Sequence, residues 1–182
     1  MAETLAISEQ KRKLLEDYLL RRSEESKLPA TIPPRPPGAV IPLTFAQQQV
    51  WLHAQMAPHE PVYNEPFTVH RKGALDVGAL ERSFTEIIRR HEAWRTTFSI
   101  VDGQPVQVVH PPFEIKLPVV DLRNLPENER LDAALRLATE DARQSFDLAK
   151  LPLVRARLVR LAEEEYRLFV NCHHLIFDGV TG

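Results

Sequence analysis

Six of the fifteen prolines of this 182-residue chain fall between Pro29 and Pro42. Each proline fixes φ and removes a backbone donor, so the run LPATIPPRPPGAVIP cannot enter a helix or the middle of a sheet. Residues 28–42 are therefore read as an extended, semi-rigid linker. It separates a short N-terminal segment, residues 1–27, from a region of domain size, residues 43–182.

The N-terminal segment reads as a helix from Ser8 to about Arg22. Leu14, Leu15, Tyr18 and Leu19 fall on one stripe, and Lys11, Arg12, Lys13, Glu16 and Asp17 cover the other faces. A stripe of this size cannot be buried by so short a helix alone. It is expected to pack on the domain or to serve as a docking element for another protein.

Downstream the hydrophobic period switches repeatedly. Thr44 caps a helix to Gln55, Tyr63–Arg71 alternates as a strand, and Asp76 caps a strongly amphipathic helix to about His91. Arg95–Val101 and Pro105–Val109 bracket Asp102-Gly103, a hairpin signal. Ile115–Val120 is a further expected strand, and Glu127 to about Ser145 a helix. Leu153–Leu161 and Tyr166–Cys172 form a second hairpin around Glu163, Glu164 and Glu165. The order predicts an α/β fold of the α+β kind, with a mixed sheet. The apolar run Leu168, Phe169, Val170 predicts that the last strand is buried on both faces.

Composition excludes several functions. Lys plus Arg is 23 against 25 Asp plus Glu, a net charge of -2, without the basic excess of a nucleic-acid binder. No apolar run approaches the ~18 residues of a membrane span. The one cysteine, Cys172, precludes a disulfide within the chain and fits a reducing, cytoplasmic setting. There is no nucleophile elbow, P-loop or dinucleotide fingerprint.

The polar residues collect after the last strand, in His173, His174, Leu175, Ile176, Phe177, Asp178 and Gly179. Adjacent strand residues point to opposite faces, so one histidine is expected to react and the other to pack. A histidine there can take a proton from an amine or hydroxyl nucleophile. Asp178 can orient a histidine or pair with an arginine, and Gly179 permits a tight turn. Divergent histidines argue against a metal site. Cys172 lies in an apolar strand, where a thiol is inert.

Three ordered segments resemble the condensation domains of nonribosomal peptide synthetases. HHLIFDG matches their HHxxxDG motif. LTFAQQQVWLHAQM, from Leu43, resembles their first motif, and RHEAWRTTF, from Arg90, their second; SFDLAKLPLVRARLVRL, from Ser145, is similar to the stretch that precedes the histidines. Thr44 stands for the usual serine, Gln49 for an arginine and Trp94 for a leucine. The resemblance implies a chloramphenicol-acetyltransferase-like fold, of which this chain would be the N-terminal lobe, ending after the active loop. It implies amide-bond formation between a donor acyl or peptidyl thioester and an aminoacyl acceptor. Both would arrive on phosphopantetheine arms of partner carrier proteins, with no cofactor or metal held by this chain. His174 and Gly179 would be catalytic, and His173, Asp178 and Arg95 structural at the site, with Asp178 paired to Arg95. Further expected partners are a C-terminal lobe and, through the N-terminal helix, an upstream synthetase subunit; nucleic acid and membrane are not. Two other readings are a non-catalytic lobe that binds carrier proteins or another subunit, and a coenzyme A-dependent acyltransferase of the same fold.

Overall fold

The computed structural model describes residues 33–178 together with Glu9, Lys13, Glu16 and Asp17, the last four being helical. The predicted apolar stripe of the N-terminal helix, Leu14 to Leu19, lies outside the described residues, as does Gly179. The chain divides into residues 1–39 and 40–182.

The described residues of the second unit form three α-helices, α1 (Phe45–Met56), α2 (Val77–Arg90) and α3 (Glu127–Arg143), and seven strands. The strands are β1 (Ile41–Pro42), β2 (Asn64–Lys72), β3 (Thr96–Val101), β4 (Gln104–Val109), β5 (Val119–Asp121), β6 (Val154–Ala162) and β7 (Glu165–His173). They form a three-stranded sheet in the order β1-β4-β3 and a four-stranded sheet in the order β2-β7-β6-β5. All pairings are antiparallel except β5 with β6.

Local signals explain most element boundaries. The Thr44 side chain accepts from the Gln47 amide while the Gln47 side chain accepts from the Thr44 amide, a complete capping box. The Asp76 carboxylate accepts from the Ala79 amide and starts α2. Asp102 and Gly103 both have positive φ, at 51° and 76°, which matches the twist of a tight β3–β4 hairpin.

Two expectations are corrected. Ile41 and Pro42, assigned to the linker, form β1 against β4. A proline is tolerated there because β1 is an edge strand, and the Pro42 carbonyl still accepts from the Gln107 side chain. The strand expected over Ile115–Val120 is only Val119–Asp121. Pro118 offers no ladder donor, and the Leu117 amide donates instead to the Glu81 carboxylate.

β7 lies between β2 and β6 and is covered on both faces, as its apolar run predicts. Val170 and Cys172 pack with Phe84, Phe98, Leu153 and Val154. Phe169, on the opposite face, packs with Val159, Leu161 and the Ala133 and Ala134 surface of α3. The period of two therefore delivers consecutive residues of β7 to two different cores.

Candidate functional site

The alternation decides the fate of the two histidines at the end of β7. The His173 amide donates to the Leu153 carbonyl on the β6 side, and the His174 amide to the Tyr63 carbonyl on the β2 side. His173 is 5% exposed. Its ring lies against Tyr63 and meets Phe146 edge-on, with centroids 6.2 and 6.0 Å apart. His173 Nδ1 accepts from the Leu175 amide at 3.2 Å, so the ring carries its proton on Nε2. Burial, then the neighbouring His174, pushes His173 from the usual 6.5 down to about 4. This histidine is a neutral packing group at physiological pH.

The segment after α3 supplies Phe146, and Arg155 of β6 holds Phe146 in place. The Arg155 guanidinium donates to the carbonyls of Asp141, in the last turn of α3, and Ser145, just beyond it, and it stacks 3.8 Å above the Phe146 ring. Carbonyls left open by the helix end thus gain a donor from the neighbouring strand. The stacked Phe146 then fixes one wall of the His173 site.

His174 follows the strand, and its side chain is 36% exposed. Its ring lies nearly parallel to Tyr63, at 8° and 6.3 Å. Nδ1 is 3.0 Å from the Phe177 carbonyl oxygen. A carbonyl only accepts, so Nδ1 bears the hydrogen and the neutral ring presents a lone pair at Nε2. The Glu65 carboxylate stands 3.5 Å from the same Nδ1. The adjacent histidines therefore take opposite tautomers.

His174, Phe177 and Asp178 line a cavity of about 330 Å³ with Thr44, Gln47, Val50 and Ala93. The Gln47 side chain donates to the Leu175 carbonyl at 3.1 Å, which joins the α1 cap to the loop after β7. His173 borders a separate cavity of about 420 Å³, lined in part by Tyr63, Asn64, Phe146 and Asp147.

Arg95 closes the short 3-10 turn Glu92–Arg95 before β3, and its side chain is 15% exposed. It donates to the His110 carbonyl at 2.6 Å, and its Nε is buried without a hydrogen-bond partner among the described residues. Asp178 shares its cavity with Ala93, two residues before Arg95. The structure thus gathers His173, His174 and Asp178 at one strand exit and sets Arg95 on the adjoining element. Cys172 is fully buried, and burial followed by the charge of Glu65 pushes its thiol up to about 12.

Glu65, Tyr63 and the Phe177 carbonyl were not legible as site groups in the sequence. Only the β2–β7 register, with Asn64 opposite His173 and Glu65 opposite Cys172, brings them to the histidines. Gln47 carried a visible signal, the Thr44-x-x-Gln47 capping box, but its bond to the loop after β7 did not. Among the described residues, no three histidine, cysteine, aspartate or glutamate side chains stand together as a metal site, and no helix is long and apolar enough to cross a membrane.

The family model for the condensation domain matches residues 38–181. One of the linear gramicidin synthase proteins of Brevibacillus parabrevis is 46% identical over 148 residues, which cover 81% of this chain and 2% of that protein. The phosphinothricin tripeptide synthetase PhsB of Streptomyces viridochromogenes is 37% identical, covering 88% of this chain and 14% of that protein. Among solved structures, the starter condensation domain of rhizomide synthetase superposes with a TM-score of 0.72 at 25% identity, covering 79% of this chain and 34% of that one. The first condensation domain of the calcium-dependent antibiotic synthetase gives 0.71 at 24% identity, over 78% of this chain and 34% of that one, a likeness of fold. The chain thus spans a small fraction of its curated relatives and about a third of the solved domains. With its mixed α/β sheets in the chloramphenicol-acetyltransferase-like arrangement, this chain belongs to the condensation domain family.

Proposed function

We propose that this chain supplies the histidine-bearing part of a condensation domain that forms an amide bond in nonribosomal peptide synthesis. The observation that carries this reading is the orientation of His174. Its Nδ1 hydrogen is engaged at the Phe177 carbonyl, and its Nε2 lone pair is left for a reactant at the rim of a cavity. In the proposed reaction the acceptor amine nitrogen attacks the donor thioester carbonyl. A C–N bond forms, the C–S bond breaks, and the sulfur leaves as the thiol of the donor arm. His174 Nε2 takes the proton from the nitrogen and returns it to the departing sulfur. Both reactants would arrive on phosphopantetheine arms of donor and acceptor carrier proteins. Asp178 and Gly179 would set the loop that holds His174. Arg95, whose Nε is buried without a hydrogen-bond partner among the described residues, would pair with Asp178.

The test fuses this chain to the remaining part of a relative's condensation domain and adds aminoacyl-loaded carrier proteins. Amide product is read by mass spectrometry. The wild-type fusion is expected to form product, and His174→Ala to lose about 10²-fold or more. Full turnover by His174→Ala, or no product from a folded wild-type fusion, overturns the reading.

A further inference from the structure

We propose that Glu65 is a positioning residue for His174, holding the neutral imidazole in the Nδ1–H tautomer from the far side of the sheet edge. This deepens the proposed function and takes His174 as the reacting group from it, but the contact itself stands on geometry.

Glu65 lies on β2 directly opposite Cys172 of β7. Cross-strand partners share a face, and residues two apart along a strand share it too. Glu65 is thus the diagonal neighbour of the position that His174 takes as β7 ends. The β2 chain stays in step past the last pair, because the His174 amide donates to the Tyr63 carbonyl at 2.9 Å. Two independent restraints, the ladder and the Tyr63 ring, therefore set the imidazole beside Glu65. The resulting Oε1 to Nδ1 distance is 3.5 Å.

That carboxylate adds something the Phe177 carbonyl does not. A carbonyl provides a dipole, whereas an ionised carboxylate provides a full charge against the positive end of the Nδ1–H bond. The Nε2–H tautomer would turn the Nδ1 lone pair toward both oxygens, a repulsive arrangement. The other titratable groups at the ring are Tyr63 stacked on it, the buried His173 and Asp178 in the same cavity. Of the ring contacts, those to Nδ1 are the Phe177 carbonyl and Glu65. The Glu65 side chain is 47% exposed, so it stays solvated while still facing the ring. Its field is felt nearby: the buried Cys172 thiol is pushed up in part by Glu65.

The experiment reads the tautomer directly. The 182-residue chain is labelled with 15N-histidine, and long-range proton–nitrogen correlation spectra are recorded at about pH 8.5, where histidine is neutral. His174 is assigned by its loss in His174→Ala. The wild-type ring is expected to show Nδ1 protonated. Glu65→Leu should lower the Nδ1–H to Nε2–H ratio by about two- to fivefold, the range for a partly exposed charged contact. Glu65→Gln, which keeps the shape and an acceptor oxygen without the charge, should give a smaller drop that vanishes at molar salt. Glu65→Asp should return part of the wild-type ratio. A ratio unchanged in both Glu65→Leu and Glu65→Gln overturns the proposal. Should the leucine variant fail to fold, the isosteric glutamine variant decides alone. The outcome is independent of the product assay: a catalytic failure of His174 leaves this tautomer measurement intact, and the reverse also holds.

Discussion

His173 and His174 are neighbours in sequence and opposites in environment. One is buried between Tyr63 and Phe146, accepts at Nδ1 and is held neutral. The other is turned to a cavity, donates from Nδ1 and is open at Nε2. The residue type is the same, so the difference comes wholly from where β7 ends. The last strand position faces α3, and the next position faces the other way, past β2. A single-residue shift in register would exchange the two roles.

The comparison can be broken most severely by removing the packed member. His173→Ala opens a cavity beside two aromatic rings and leaves the Leu175 amide without its acceptor. We expect a loss of about 2–4 kcal/mol in urea unfolding. An effect below about 1 kcal/mol would mean that His173 is not a packing group.

Acid should produce a loss of similar size through the same residue. His173 binds its proton more weakly folded, at about 4, than at the usual 6.5. The unfolded state therefore gains protons first as pH falls. The contribution of the neutral ring is fully present above about 6.5, declines below it and is exhausted near 4. The shift corresponds to about 3 kcal/mol. Urea midpoints measured across that window should fall for the wild type and fall less for His173→Phe. Equal slopes would remove His173 as the acid-sensitive group.

Cys172 sharpens the contrast between buried and open sides at smaller cost. It should resist alkylation by iodoacetamide in the native chain and react only with denaturant present. Its replacement by alanine should cost about 1 kcal/mol in the same urea assay. The smallest effect is expected at the open member. His174→Ala should shift stability by less than about 0.5 kcal/mol, since a partly exposed ring has little packing to lose.

The sequence made one half of this contrast legible. Period-two alternation predicts that the adjacent histidines diverge, and the apolar run before them predicts a central strand. Alternation alone did not say which histidine is packed, because that depends on the side where α3 lies; only the resemblance to the HHxxxDG motif implied that it is His173. α3 lies there because Ala133 and Ala134 meet Phe169. Local chemistry was well encoded: Thr44 and Asp76 cap, and Asp102-Gly103 turns. Pairing was not. The parallel contact of Val119–Asp121 with β6 and the antiparallel contact of Ile41–Pro42 with β4 join segments far apart in the chain. Glu65 was silent for the same reason, being carried to His174 by a ladder rather than by any spacing between them.

The central place of β7 also sets a gradient of hydrogen exchange. Its amides are bonded to strands on both sides and covered above and below, so they should be among the last to exchange, by openings that approach global unfolding. α1 has no fully buried residue. Its amides should be exposed by small local openings. α1 and the loop directly after β7 border the His174 cavity, where the Gln47 side chain meets the Leu175 carbonyl. One part of that cavity is thus anchored at the exit of the slowest-opening strand, and another is carried by a helix that can fray on its own. A reactant entering beside His174 would meet a fixed histidine and a wall that can yield.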